Sequence, residues 1–231
     1  MNIYPLELSC ATAFIYVLDV ISHYLHPILC KSHLVDNKIS ESERWFFIHI
    51  INNIIVMYAA YYELMDCVDH IYICDKKPMN SLSTYAVIVA KASHLYHLLF
   101  FKHMSYETLL HHIIMGVFCG PVVYFLNNTQ LMIANLFFLS GLPGFLDYTN
   151  LYLVKLGYLS SKKQKLIYFY ISMFIRSPGI LFLSIIQLLF NNGVTFSEYM
   201  IRYLLAFITI WNSQYFLYLT IKDCIRKNVL V

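Results

Sequence analysis

Residues 93–116 read SHLYHLLFFKHMSYETLLHHIIMG and join two apolar runs through the short polar break KHMSY. Each run extends beyond this stretch and reaches the length of ~20 residues that a helix needs to cross a bilayer core. A break this short keeps the two helices beside each other. The stretch therefore predicts two neighbouring antiparallel helices, and it brings four histidines close to their turn: His94, His97, His111 and His112.

The composition of the whole chain is typical of a membrane protein. It has 231 residues, of which 59% are hydrophobic and 13% are charged, and its mean hydropathy is +0.61. In soluble domains about a quarter of the residues are charged, so the charged fraction of this chain is far below their average. The formal net charge of +3 is too small to indicate nucleic-acid binding. We therefore expect an all-α, multi-pass protein whose partner is the lipid bilayer.

Seven apolar segments follow one another along the chain, each near the length of a bilayer span. Short polar breaks separate them, and we predict seven transmembrane helices. Their approximate bounds are 7–29, 45–66, 82–101, 107–126, 131–154, 166–190 and 199–221.

The basic residues are distributed unequally between the two sides of this predicted bundle. Eleven lie on one side and three on the other, and the positive-inside rule places the richer side in the cytosol. We therefore predict a lumenal or external N-terminus and a cytosolic C-terminus. The glycosylation sequon at Asn127 falls on the lumenal side. The eleven are Lys31, Lys38, Arg44, Lys102, Lys155, Lys162, Lys163, Lys165, Lys222, Arg226 and Lys227, and the three are Lys76, Lys77 and Arg202.

Titratable residues inside the predicted spans are candidates for a functional site, because charged and imidazole groups are costly in a bilayer. Glu107 and His111 are four residues apart and share one helix face. A carboxylate beside an imidazole orients the ring and raises its basicity, which suits a general base. A polar cluster that only holds helices together is the alternative interpretation.

Other spans place polar residues at a similar depth. At 1.5 Å of rise per residue, His49 and the four hairpin histidines lie within roughly 12 Å of the cytosolic surface. Asp147 follows GLPG, residues 141–144, which we interpret as a helix break that directs this carboxylate inward. Arg176 lies deeper, and we expect it to pair with Asp147 or to contact an anion.

Two further pairs of residues can be tested against a structure. Asp19 and Lys91 fall near the middle of the membrane, where we expect an ion pair between them. Cys67 and Cys74 lie in one polar loop, and the sequence leaves open whether they form a disulfide.

Several of these segments resemble the TLC-domain family of multi-pass membrane proteins, which includes the ceramide synthases. RWFFIHIINN, with His49, is similar to the family's early histidine segment, and SHLYHLLFF followed by YETLLHHI is similar to its central region with paired histidines. LSGLPGFLDYTNLYLVKLG and FIRSPG resemble a plant and algal subgroup. The order and spacing of the motifs extend the resemblance over residues 44–220. It divides the chain into a first helix and cytosolic loop at 1–43, a TLC-like domain at 44–221 and a cytosolic tail at 222–231.

The resemblance implies a helical bundle around a lipid-accessible cavity, most often in the endoplasmic reticulum. In ceramide synthases the paired histidines belong to the site that transfers an acyl group from acyl-CoA to an amine, and by position they are His111 and His112. Those enzymes also carry a further histidine and paired aspartates. This chain has only Asp147 in the corresponding stretch and no histidine after His112. This difference argues against ceramide synthesis itself.

The first of three functional hypotheses is an acyl-CoA-dependent acyltransferase without a bound cofactor. His111 or His112 would be the general base, Glu107 its orienting partner and Asp147 a second polar partner. The basic loop GYLSSKKQK would attract the phosphates of acyl-CoA. The remaining candidates for the lining of the substrate cavity are His49, His94, His97 and Arg176.

The other two hypotheses do not use this chemistry. A non-catalytic protein that binds lipid and alters membrane composition fits the same residues, because fold does not fix function. A diiron lipid hydroxylase is the third hypothesis, since histidine clusters on membrane helices bind iron. The chain contains no HxxHH box, however, so we assign no metal ligand.

Overall fold

The chain folds into helices joined by short connections. The computed structural model describes residues 4–29, 40–102, 104–119, 121–122, 129–190 and 195–229, and these residues contain no strand. Helices occur in all seven predicted segments. Their bounds are Tyr4–Leu29 (α1), Glu41–Asp69 (α2), Ser81–Phe100 (α3), Tyr106–His112 with a π-helical continuation Ile113–Cys119 (α4), Gln130–Lys155 (α5), Ser161–Leu189 (α6) and Phe196–Arg226 (α7).

Polar side chains in the breaks fix where several helices begin. The side-chain oxygens of Asn80 and Ser105 each accept a hydrogen bond from a backbone N–H three residues later, at the starts of α3 and α4. Thr195 forms a capping box with Glu198 at the start of α7. These caps pair N–H groups that the first turn of a helix leaves without a partner.

Five helices, α1, α2, α5, α6 and α7, are long and apolar enough to cross a membrane. The protein is therefore an all-α membrane protein, but the predicted count of seven spans is not reached. α3 carries Lys91 and two histidines within its 20 residues. α4 is described over two runs of seven residues, 106–112 and 113–119, which is shorter than a span.

Some of the predictions from the sequence concern residues outside the described ranges. The sequon at Asn127 lies outside them, as do Lys31 and Lys38. At the other end of the chain, α7 continues as far as Arg226, so its last turn enters the region predicted to be the tail.

The helices alternate between two ends of the bundle, which α2 defines. Its first turns carry Trp45 and His49, whereas Cys67, roughly 27 Å further along the axis, forms a disulfide with Cys74. We call these the histidine end and the disulfide end. At the disulfide end, the backbone N–H of Leu131 at the start of α5 donates to the Cys74 carbonyl over 3.3 Å.

α3 and α4 form the hairpin that the sequence predicts. α3 begins at the disulfide end, where Ser83 Oγ donates to Glu63 of α2 over 3.1 Å. It reaches the histidine end at His97, whose ring stacks on Trp45. Close packing of the return helix depends on Gly116, because a Cβ at this position would lie 2.7 Å from the Cβ of His94.

Three π-helical turns interrupt the regular helices: 113–119 in α4, 137–141 in α5 and 172–176 in α6. Two of them directly precede a helical Pro within the next two residues, Pro143 and Pro178. Proline has no N–H for the helical ladder, so a wide turn accommodates the missing bond. The predicted break at GLPG is thus a π-helical turn within a continuous helix.

Asp19 on α1 does not pair as predicted. Both of its carboxylate oxygens accept from the Arg44 guanidinium on α2, and one also accepts from the Tyr96 hydroxyl on α3 over 2.7 Å. Arg44 satisfies this acid because the guanidinium fork matches a carboxylate with two parallel bonds. The contact joins the first three helices, and Lys91 is not Asp19's partner in it.

Candidate functional site

A cavity of about 230 Å³ lies between the helices at the histidine end. Six of the eight residues that the sequence nominates line it, which is the main outcome of the site prediction. They are His49, His94, His111, His112, Asp147 and Arg176.

Five imidazoles from three helices meet at this cavity. The ring centre of His94 lies 5.6 Å from that of His111 and 4.9 Å from that of His112. The ring of His97 lies 5.0 Å from His112 and 4.7 Å from His49. The hairpin is predicted to contribute at least one histidine of each pair to one cavity, and His94 of α3 and His111 and His112 of α4 line it.

His97 is placed behind the cavity wall instead of in it. Its side chain is completely buried and stacks on Trp45 with ring centres 3.8 Å apart. Trp45 does line the cavity, so His97 contacts the site through this indole and through the ring of His112. This position makes His97 a packing neighbour of the site.

Several buried polar atoms at the cavity have no partner in the protein. Both ring nitrogens of His112 and both amide atoms of Asn53 lack a hydrogen bond, and both residues are at most 2% exposed. The Nε of Arg176 is also without a partner. A buried polar group that makes no hydrogen bond costs about 1–3 kcal/mol. A polar ligand in the cavity would recover this cost.

His49 and His94 have protonation patterns that their hydrogen-bond partners set, whereas both ring nitrogens of His97, like those of His112, have no partner. The Nδ1 of His49 lies 3.1 Å from the Trp45 carbonyl, and the Nδ1 of His94 lies 2.8 Å from the Ala90 carbonyl. A carbonyl only accepts, so each Nδ1 donates, and each neutral ring carries no proton on Nε2.

His111 has the opposite tautomer. Arg176 donates to the Asn212 side-chain oxygen over 2.9 Å, which orients that amide. The Asn212 nitrogen then faces Nδ1 of His111 at 3.2 Å and donates to it. A neutral His111 must therefore carry its proton on Nε2 and act as a donor.

Asp147 and Arg176 line the same cavity but do not pair with each other. Asp147 accepts from the side-chain amide of Gln164 over 2.8 Å. Arg176 contacts neutral groups, the Asn212 oxygen and the Tyr168 hydroxyl, the latter over 3.3 Å. The expected ion pair is wrong, because Asp147 finds a neutral partner on α6 and Arg176 finds neutral partners on α6 and α7.

Glu107 is exposed at the start of α4 and does not orient His111. Asn212 of α7 has that position. Glu107 belongs instead to a second cavity of about 330 Å³ between α4 and α7, which we call the seam. Ten residues line the seam, most of them apolar, and three of them, His111, Met115 and Phe216, also line the first cavity.

Sequence reasoning missed several residues of the site. Asn53 had a visible signal, since two adjacent asparagines interrupt an apolar run in α2. Asn212, Tyr148 and Tyr168 had none, because single polar residues on separate helices do not reveal that they meet. All of them except Asn212 line the first cavity, and Asn212 lines the seam.

Neither metal ligation nor similarity to known proteins adds to this description. Among the described residues, no group of three His, Cys, Asp or Glu side chains is placed to hold one metal ion. No family model matches the chain, and no curated protein and no solved structure is similar to it. The resemblance to the TLC-domain family therefore stays a prediction.

Proposed function

We propose that this protein is a membrane-embedded acyltransferase that holds an amphipathic lipid in the histidine-lined cavity and acylates it from acyl-CoA. The observation that carries the proposal is His112, a buried imidazole at the cavity whose two nitrogens have no partner in the protein. A group that must take up and release a proton needs a nitrogen that is not committed to a structural bond.

The two adjacent histidines have different roles in the proposed step. His112 takes the proton from the hydroxyl or amine of the lipid acceptor as that group bonds to the thioester carbonyl carbon. The carbon–sulfur bond breaks, and the leaving thiolate receives the proton from His112. His111, which carries its proton on Nε2, donates to the carbonyl oxygen as charge develops there.

The seam supports access from the bilayer. It lies beside His111, and Trp211 and Tyr215 of α7 contribute aromatic surface to it. A cavity lined mainly by apolar groups is suited to the chain of a lipid, while the polar groups of the first cavity suit its head. We therefore propose that the acceptor enters between α4 and α7.

We also propose that α3 and α4 complete a seven-span bundle of the TLC type. α3 starts beside Glu63 at the disulfide end and ends beside Trp45 at the histidine end, so it runs antiparallel to α2 from one end of the bundle to the other. The chain is again at the disulfide end by Thr129, which bridges to Pro78. Packing in a hairpin shields the histidines that lower the mean hydropathy of α3.

The disulfide supports the predicted orientation. Disulfides persist in oxidising compartments, which places the end with Cys67 and Cys74 in the lumen or outside. The histidine end then faces the cytosol, where acyl-CoA is found, and the basic residues agree. Residence in the endoplasmic reticulum rests on the resemblance to the TLC-domain family. The test uses sealed microsomes that contain the protein with a tag at each terminus. One tag should be protected from protease and the other digested. Equal protection of the two tags would contradict an odd number of spans.

Lipid binding without catalysis is the second candidate. The unpartnered atoms of Asn53 and Arg176 require a ligand but do not require turnover. No observation of the described residues favours the diiron hydroxylase, and the iron content of the purified protein tests that hypothesis directly.

The lipid profile of cells that express single variants tests the proposed function. His112→Ala should abolish any lipid product, because a general base contributes a factor of about 10² to 10⁴. Asn212→Ala should reduce it less, since the His111 ring remains but its tautomer is no longer fixed. His70→Ala, an exposed histidine at the disulfide end, is the matched control. Equal profiles from wild type and a well-folded His112→Ala variant would leave only the binding function.

A further inference from the structure

Arg176 is a buried cation that has no carboxylate against it. Its side chain is 9% exposed, and its two hydrogen bonds go to neutral oxygens on Tyr168 and Asn212. The ring of Phe216 lies 5.4 Å from its central carbon. No ion pair of the described residues includes Arg176.

The other two arginines within the helical bundle each have a carboxylate partner. Arg44 pairs with Asp19, and Arg202 pairs with Asp75 over 2.9 Å. Removing a guanidinium from water without a counter-charge costs several kcal/mol. Arg176 is thus the arginine of this set whose charge the protein leaves without a paired acid.

Arg176 lines the cavity and has donors that make no bond within the protein. A guanidinium carries five N–H groups, of which two are used by Tyr168 and Asn212, and Nε has no partner. The planar arrangement of the remaining donors matches the oxygens of a phosphate or a carboxylate. Asp147 lies elsewhere on the cavity wall, bonded to Gln164, so an anion is favoured on the Arg176 side.

A basic vestibule adjoins this side of the cavity. It has a volume of about 470 Å³ and shares Tyr168 and Phe216 with the cavity wall. Three basic side chains and one carboxylate line it: Lys165, Lys222, Arg226 and Asp223. The excess of positive charge attracts anions toward Arg176.

We propose that Arg176 forms an anion subsite of the cavity, which binds the phosphate or carboxylate group of an amphipathic ligand. The inference rests on the proposed function only in that an amphiphile must enter the cavity. The anion has two conceivable sources, the headgroup of a membrane lipid that arrives through the seam and a phosphorylated molecule that arrives from water through the vestibule.

Two tryptophans make the subsite measurable, because Trp45 lines the cavity and Trp211 lines the seam. The purified protein in a non-ionic detergent is titrated with dibromostearoyl lysophosphatidic acid and with dibromostearoyl glycerol, its neutral counterpart. Bromine quenches the fluorescence of a nearby indole. We expect the anionic probe to bind the wild type about 10- to 100-fold more tightly, the range for hydrogen bonds to a charged group.

Three variants separate the subsite from unspecific attraction. Arg176→Gln should remove the preference and leave the affinity for the neutral probe unchanged. Arg176→Lys, which keeps the charge but loses the fork, should retain part of it. Lys162→Gln removes an exposed charge on the same helix outside the cavity and should retain all of it.

Competition by inorganic pyrophosphate identifies the source of the anion. If pyrophosphate displaces the anionic probe from the wild type, and displaces it less well from a Lys222→Gln/Arg226→Gln variant, the subsite is supported and its anion comes from a water-soluble ligand. If the anionic probe binds and pyrophosphate does not displace it, the subsite is supported and its anion is the headgroup of a lipid. Equal affinity of the wild type for the two probes, or a preference that survives Arg176→Gln, overturns the proposal. Failure of both probes to bind the wild type would contradict the proposed function as well.

Discussion

The two ends of the bundle differ in how their buried charges are paired, although amides without a partner occur at both, such as Asn135 near the disulfide end and Asn53 at the cavity. At the disulfide end, Asp75 is paired with Arg202, and Glu63 accepts from the Asn80 backbone over 2.8 Å and from Ser83. At the histidine end, His112 and Asn53 have no partner, and Arg176 faces only neutral groups. Both ends bury charges or imidazoles between the helices.

The difference indicates which polar residues hold the helices together. A buried group whose partner is another helix fixes the position of that helix and needs no ligand. A buried group without a partner lowers stability, and a protein tolerates it where a ligand or a reaction needs it. The paired charges indicate a structural role for the disulfide end, and the unpaired guanidinium and imidazole make the histidine end the candidate site.

The same substitution at the two ends tests this comparison most strongly. Arg202→Met should lower the free energy of unfolding by about 3–5 kcal/mol, because it leaves Asp75 buried and unpaired. Arg176→Met should change it by about 1 kcal/mol or less, because removal of a buried charge without a paired acid offsets the loss of its hydrogen bonds to neutral groups. Unfolding in mixed micelles, followed by tryptophan fluorescence, measures both. Equal losses of unfolding free energy in the two variants would contradict the difference inferred between the two ends.

The Cys67–Cys74 bond provides a second test at the disulfide end. Cys67→Ser/Cys74→Ser should cost about 2 kcal/mol of stability, the amount expected for a loop this short. A reducing agent should have the same effect on the wild type and none on the variant. Cys10→Ser, at an exposed free cysteine on α1, is the control and should change neither result.

Packing at the histidine end is tested at Gly116. An added methyl group would meet the Cβ of His94, so Gly116→Ala should cost about 1–3 kcal/mol and displace His94 from the cavity. We expect loss of ligand quenching of Trp45 together with the loss of stability. Val117→Ala on the exposed neighbouring position should leave quenching unchanged. An unaltered cavity in the Gly116 variant would mean that α3 and α4 separate without consequence.

The smallest effect is expected at Glu107. Glu107→Gln should change product formation by about twofold at most, because the side chain is exposed and Asn212, not Glu107, contacts His111. The same lipid profiles that test His112→Ala measure it. A loss as large as that of His112→Ala would show that Glu107 reaches the reacting groups.

Local patterns in the sequence predict the class of the fold and most of the nominated residues that line the cavity. Long apolar runs predict membrane helices because the bilayer gives a backbone no other way to pair its polar groups. The short break at residues 102–106 places α3 beside α4, so the meeting of His94 with His111 and His112 follows from local information. Six of eight nominated residues line the cavity: His94, His111 and His112 for this reason, and His49, Asp147 and Arg176 from other helices, where they were nominated as polar residues within apolar runs.

Which polar groups are partners becomes visible only when the helices are packed against each other. The sequence gives the depth of a residue in a helix, but the direction of a side chain depends on how each helix is rotated against its neighbours. Asp19 therefore meets Arg44 instead of Lys91, and Asn212 replaces Glu107 at His111. The π-helical turns add to this, since each wide turn changes the rotation of all residues that follow it in its helix. Partner choice is set by packing between helices that are distant in the chain, and no local pattern contains it.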